Sequence, residues 1–154
     1  MKRFYWIIIA LFALTSCSES YFYSSEKDIK DGKWNADSIA VFTVSIEDTI
    51  SPYDLFFSIT NGEQYMYRNI YLFVTIDFPH GIQRVDTVDC LLADERGKWF
   101  GKEVDDGKYR NFLLYRKKVR FPYRGKYVFR FEQAMRHKVL DGIYQVGLYI
   151  KKSE

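Results

Sequence analysis

Cys17 carries the plainest chemistry in this chain. It follows the small residues Thr15 and Ser16, and ahead of those stand a short positive end, Met1-Lys2-Arg3, and eleven uncharged apolar residues, Phe4 to Leu14. That layout is a secretory signal peptide, here ending in a lipobox, in which the cysteine sulfur takes a diacylglyceryl group and the chain is cut just before it. Residues 1–16 are therefore read as a lipoprotein signal peptide and Cys17 as the acylated first residue of the mature chain. A permanent membrane-spanning helix needs about 20 apolar residues, and the polar "TSCSES" closes the run short of that. One myristoyl chain holds a protein only marginally, whereas the two or three acyl chains of such a cysteine hold it firmly. Ser18 follows the cysteine where an aspartate would direct inner-membrane retention, so the expected location is the outer membrane, on its periplasmic leaflet.

The remaining reactive residue types do not assemble into a catalytic pattern. Asp86, Asp89, Asp94 and Glu95 are close in sequence, and paired carboxylates can cleave a glycosidic bond. Asp86 and Asp89, however, differ by an odd number and point to opposite faces of a strand. His80 and His137 are far apart and lack metal-ligand spacing, so no metal is expected. "GKWFGKE", Gly97 to Glu103, is one residue short of a phosphate-binding loop and has Glu103 in place of the magnesium-binding hydroxyl; it reads as a glycine-rich hairpin. With Cys17 acylated, Cys90 has no partner in the chain, and in its extended run it reads as a buried, inert thiol. No G-x-S-x-G motif is present. The expectation is a non-enzymatic protein with no cofactor beyond the lipid on Cys17 and no small-molecule substrate.

The most unusual stretch is "YRNFLLYRKKVRFPYRGKY", Tyr109 to Tyr127. It interleaves Arg110, Arg116, Lys117, Lys118, Arg120 and Arg124 with Tyr115, Tyr123 and other aromatics. Export rules out RNA as its natural partner, and the chain's formal charge of +3 drops to about +1 once Lys2 and Arg3 leave with the signal peptide, so no nucleic acid is expected. The stretch fits anionic lipid head groups or an acidic protein, and equally an ordinary strand whose edge lysines deter aggregation. Together with Trp99, these residues form the candidate interaction surface. The 13 tyrosines and 13 phenylalanines exceed what one small core needs, and exposed aromatics suit protein interfaces or stacking on sugar rings.

The elements that position these residues are strands. In "PYDLFFSIT" Tyr53, Leu55, Phe57 and Ile59 share one face, and in "NIYLFVTIDF" Ile70, Leu72, Val74, Ile76 and Phe78 do. "SIAVFTVSI", "IQRVDTVDCLL", "FLLYRKKVRF", "KYVFRFEQ" and "IYQVGLYIKK" follow the same rule, separated by "NGEQ", "PHG", "DERG", "DDG", "PYRG" and "LDG". This predicts an all-β fold, an antiparallel β-sandwich of about seven to eight strands over residues 34–154. Only "EQAMRHKVLDG" has a period near 3.6, which predicts one short helix near 132–140 packed through Met135 and Leu140. The serine-rich and charged residues 17–33 read as the lipidated N-terminus and a tether.

Several motifs in this order resemble the GldH gliding motility lipoprotein family of the Bacteroidetes. They are the lipobox ending at Cys17, "YMYRNIYLFVTI", "DTVDCLLADERGKWFGK", "FPYRGKYVFRFEQAMR" and "LDGIYQVGLYIKK", which together run over nearly the whole chain. The resemblance implies a membrane-anchored, non-enzymatic component whose partners are other envelope proteins of gliding or of type IX secretion. It brings no catalytic residues with it. The alternative reading is an envelope glycan-binding β-sandwich module that uses Trp99 and exposed tyrosines.

Overall fold

Period-two alternation turns into burial along the chain. A computed structural model describes residues 20–154, so the signal segment and Cys17 lie outside the described residues. Eleven strands form among the described residues: β1 Tyr23–Asp28, β2 Lys33–Asn35, β3 Ala40–Ile46, β4 Tyr53–Gly62, β5 Asn69–Asp77, β6 Gln83–Leu91, β7 Lys102–Asp105, β8 Lys108–Val119, β9 Gly125–Gln133, β10 Val139–Asp141 and β11 Ile143–Lys152. In β3, Ala40, Phe42, Val44 and Ile46 are buried while Val41, Thr43 and Ser45 face water. β5 and β9 alternate in the same way, as strands with one solvated face should.

A five-stranded sheet runs in the order β1-β11-β4-β8-β7, and a four-stranded sheet in the order β3-β9-β5-β6. A two-stranded ribbon joins β10 to β2. All the strand pairs are antiparallel. The two larger sheets share one core. Phe57 of β4 stacks on Tyr115 of β8 at 4.3 Å between ring centroids and meets Phe131 of β9, in the other sheet, at 4.6 Å. Trp34 of β2 is fully buried and donates its indole N–H to the Ser38 carbonyl at 2.8 Å. Tyr53, Phe121 and Tyr127 pack edge to face further along the core. Burying each such aromatic or large aliphatic side chain is worth about 1.5–3 kcal/mol.

The all-β, antiparallel expectation holds, and three of its details need correction. The fold has eleven strands in three sheets where seven or eight in one sandwich were expected. The additional strands are β1, β2, β7 and β10, and the last three have only three or four residues each, too few to show a period. The tether expected over 17–33 is largely domain: β1 pairs with β11 from Tyr23↔Ile150 to Asp28↔Gln145. There is no α-helix near 132–140. β9 runs to Gln133, a bend follows, and Leu140 is buried within β10.

Gln133 explains the missing helix. Its side chain is 3% exposed; Nε2 donates to the carbonyls of His137 at 2.8 Å and Lys138 at 3.3 Å, and Oε1 accepts the Met135 N–H at 2.9 Å. The Ala134 N–H goes to the Tyr71 carbonyl at 2.8 Å. One side chain thus satisfies backbone groups that a helical ladder would otherwise pair. Gln133→Ala should leave those groups unpaired and cost about 1–3 kcal/mol, read as a lower urea midpoint with an unchanged slope; an unchanged midpoint would refute this role for Gln133.

Candidate functional site

Strand geometry divides the basic, aromatic stretch between two faces. On β8, Arg110, Phe112 and Leu114 stand opposite Thr60, Ser58 and Phe56 of β4, on the face turned away from the shared core. Asn111, Leu113 and Tyr115 point inward, and the register slips between Leu55 and Phe56, so Arg116 breaks the alternation. The Arg116 guanidinium donates to Asp86 of β6 at 2.7 Å, and the Tyr115 hydroxyl donates to the same carboxylate. This links the β8 side of one sheet to the β6 edge of the other. Lys117 and Lys118 are exposed. Lys118 has a positive φ of 54° and gives its backbone N–H to Asp54 Oδ1 at 2.8 Å. Arg120 and Arg124 are exposed, and the Tyr123 backbone is pinned by the Tyr127 hydroxyl, which accepts its N–H and donates to its carbonyl.

The outer face of the five-stranded sheet is organised by a residue from the supposed tether. Glu26 of β1 reaches across β11, where its carboxylate accepts hydrogen bonds from Ser58 Oγ of β4 at 3.0 Å, the Tyr149 hydroxyl at 2.7 Å and Arg110 Nη2 of β8 at 3.0 Å. Arg110 also donates to Gln145 at 3.0 Å, which in turn donates to Asp28 at 2.9 Å. Glu26 can cross because Gly147 lies beneath it: a Cβ there would come within 2.8 Å of Glu26 Cγ and collide with Ser58 Oγ. Burial, aided by the Glu26 carboxylate, pushes Tyr149 up to about 12. Beside this network, Tyr21 packs on Tyr149 at 5.1 Å and Phe112 at 6.0 Å, Phe56 stacks on Phe112 at 5.3 Å, and Lys151 lies 5.5 Å from the centre of the Phe56 ring. Gly147 in the middle of "YQVGLYI" was the signal in the sequence, since a strand-interior glycine marks close approach by another group.

The carboxylates do not converge. Asp86 faces Tyr115 and Arg116, whereas Asp89 accepts from Asn69 Nδ2 at 2.6 Å. Asp94 Oδ1 holds the turn by accepting the backbone N–H groups of Arg96 at 2.8 Å and Lys98 at 2.9 Å, and Glu95 is exposed. His80 packs edge-on against Tyr123 and His137 against Tyr67. Among the described residues no group of three His, Cys, Asp or Glu could hold a metal ion. Gly97 has φ +82° in the turn closed by the Ala93↔Trp99 bridge, and the Trp99 ring sits near those of Tyr65 at 6.5 Å and Tyr109 at 6.2 Å. Cys90 is buried, which pushes its thiol up to about 12.

These sheets define an all-β, antiparallel domain whose described carboxylates and histidines serve turns, ion pairs and ring contacts. The GldH lipoprotein family model matches residues 21–150. A gliding motility lipoprotein GldH homolog of Christiangramia forsetii is 32% identical over 154 residues, covering 96% of this chain and 93% of its own. The gliding motility lipoprotein GldH of Flavobacterium johnsoniae is 28% identical over 155 residues, covering 96% and 95%. The chain belongs to the GldH lipoprotein family.

Two expectations follow for the network. Gly147→Val should drive Glu26 off Ser58 and Arg110 and cost about 1–3 kcal/mol by overpacking, with fast amide exchange confined to β1; protection of β1 equal to wild type would contradict the crossing. Burial, the largest influence on Asp86, raises its pKa, but the hydrogen bonds from Tyr115 and Arg116 outweigh it and the net shift is downward. A carboxylate lowered in the folded state adds stability above its unfolded value, about 3.9, and loses it as pH falls through the folded value. Asp86→Asn should therefore be less stable at neutral pH and lose less of its stability below about pH 4 than wild type does, measured by urea unfolding across pH; parallel curves would refute the assignment.

Proposed function

We propose that this chain is a membrane-anchored, non-enzymatic lipoprotein that serves as a scaffold or accessory component of the gliding motility and type IX secretion machinery of the cell envelope. The observation that carries the reading is the family match over residues 21–150 together with relatives named gliding motility lipoproteins. The lipobox at Cys17 supports anchoring, and Ser18 favours the periplasmic leaflet of the outer membrane. In this reading the lipid fixes the position of the domain and exposed side chains do the binding. The loop at Arg120, Tyr123 and Arg124 offers cations beside an aromatic ring, and Tyr71 and Phe73 on the outer face of the four-stranded sheet offer rings that are more than one-third exposed. Such rings and arginines are the residue types enriched at protein interfaces.

Growth with labelled palmitate should label the wild-type protein and leave Cys17→Ser unlabelled. Crosslinking in intact cells, followed by purification of the acylated protein, should recover envelope proteins of the motility or secretion apparatus. Deletion of the gene should impair cell spreading, protein secretion or both. Label on the Cys17→Ser protein would refute the anchor, and normal spreading and secretion in the deletion strain would refute the accessory role.

A further inference from the structure

The chain meets the domain on one particular face. Before β1 it bends at Phe22, and Tyr21 lies back over the outer face of the five-stranded sheet, against Phe112 and Tyr149. Tyr21 is the fourth residue after Cys17, a reach of at most about 14 Å between their Cα atoms. A lipid on Cys17 therefore holds the Tyr21 side of the domain close to the bilayer. The outer face of the four-stranded sheet lies beyond the core, one intersheet spacing of about 10 Å plus two layers of outward side chains away. Four residues do not span that path.

The chemistry of the near face suits the same neighbour. Phe112 is 43% exposed and Leu114 55% exposed, and both stand on β8 beside Phe56 and Tyr149. At the β4 start of this face Lys117 and Lys151 flank Asp54, and exposed Lys118 follows Lys117. The exposed ammonium groups of Lys117 and Lys118 make that margin basic. Aromatic rings settle at the level of lipid head groups, lysines extend from apolar surface toward phosphates, and basic residues beside a membrane are attracted to anionic lipids.

We propose that the outer face of the five-stranded sheet, at Phe112 and Leu114 with Lys117 and Lys118 on its margin, seats against the anionic bilayer surface that anchors the chain. This rests on acylation of Cys17 as read above and adds which face of the domain touches lipid. The four-stranded sheet then faces away from the membrane, toward protein partners.

Phe112 and Phe73 make an internal comparison. They are the same residue type, 43% and 44% exposed, on opposite outer faces. The test is hydroxyl-radical footprinting of the full acylated protein, purified from envelopes and reconstituted in vesicles of phosphatidylcholine and phosphatidylglycerol, with its intact mass recorded first. A free domain should oxidise Phe112 and Phe73 alike. The seated domain should show oxidation of Phe112 and Leu114 reduced about fivefold relative to Phe73, and Lys117→Glu with Lys118→Glu should return the ratio toward one. An acylated mass with equal oxidation of both rings, or with Phe73 the protected one, overturns the seating and leaves the anchor standing. A mass without acyl chains overturns the anchor and, with it, the seating.

Discussion

The carboxylate of Glu26 is the contact that unifies the five-stranded sheet. It starts on an edge strand, passes over Gly147 on β11 and ends among Ser58 on β4 and Arg110 on β8, so a single side chain ties together four strands that backbone bonding connects only pairwise. A half-buried carboxylate is stabilised when its lone pairs are filled and a cation is nearby, and the three donors from Ser58, Tyr149 and Arg110 do both. The consequence appears on β4. Ser58, which would face water in a sheet with one open side, is 1% exposed. β4 is the spine of the fold because its inner face enters the core through Phe57 while its outer face is covered at Ser58 by the Glu26 side chain.

A second carboxylate does the corresponding job between the sheets. Asp86 gathers Tyr115 and Arg116 from β8 and lies beside Phe57–Tyr115–Phe131, the aromatic column that crosses the core. Hydrophobic packing is non-directional, so the aromatic column alone would leave the sheets free to slide. The hydrogen-bonded charge pair fixes their relative register. The two acids hold different boundaries of the same sheet: Glu26 joins its strands to one another, and Asp86 joins the sheet to its neighbour.

What the sequence revealed depended on whether a residue's fate was set locally. β3, β5 and β9 each have one wet face, and their alternation shows in "AVFTVSI", "NIYLFVTID" and "KYVFRFEQ". β1 did not, because "YSSEKD" pairs on one side only, with β11, and its polar residues are chosen for distant partners. The three-residue strands β2 and β10 are held by pairing with each other from far along the chain, and the four-residue β7, though it pairs with adjacent β8, is too short to show a period. "EQAMRHK" has helical spacing, yet the amide of Gln133 gives the backbone a better set of partners in a bend. For the basic stretch, composition singled out the residues but not how they divide: the slip at Leu55 sends Arg116 to Asp86, while Arg110 goes to Glu26.

That division bears on how a small anchored domain can do two things at once. On β8 the outward residues run from Arg110, paired to Glu26 within the network, through Phe112 and Leu114, to Lys117 and Lys118 at the exposed end. Charge that is satisfied internally contributes little to attraction at a distance, and charge left toward water contributes most. The face is thus polar but neutralised at one end, apolar in the middle and basic at the other. The far sheet has a different character: Arg130 is paired with Asp77 and Lys126 is exposed, while Tyr71, Phe73 and Val85 stand clear of those charges. Phe73 stands opposite Glu132 and Tyr71 opposite Asp89, acids that an anionic lipid surface would repel. The same eleven-strand body therefore has two unlike outer faces, and the N-terminal strand, by sending Glu26 over Ser58 and bringing the chain in at Tyr21, marks one of them as the face beside the N-terminus.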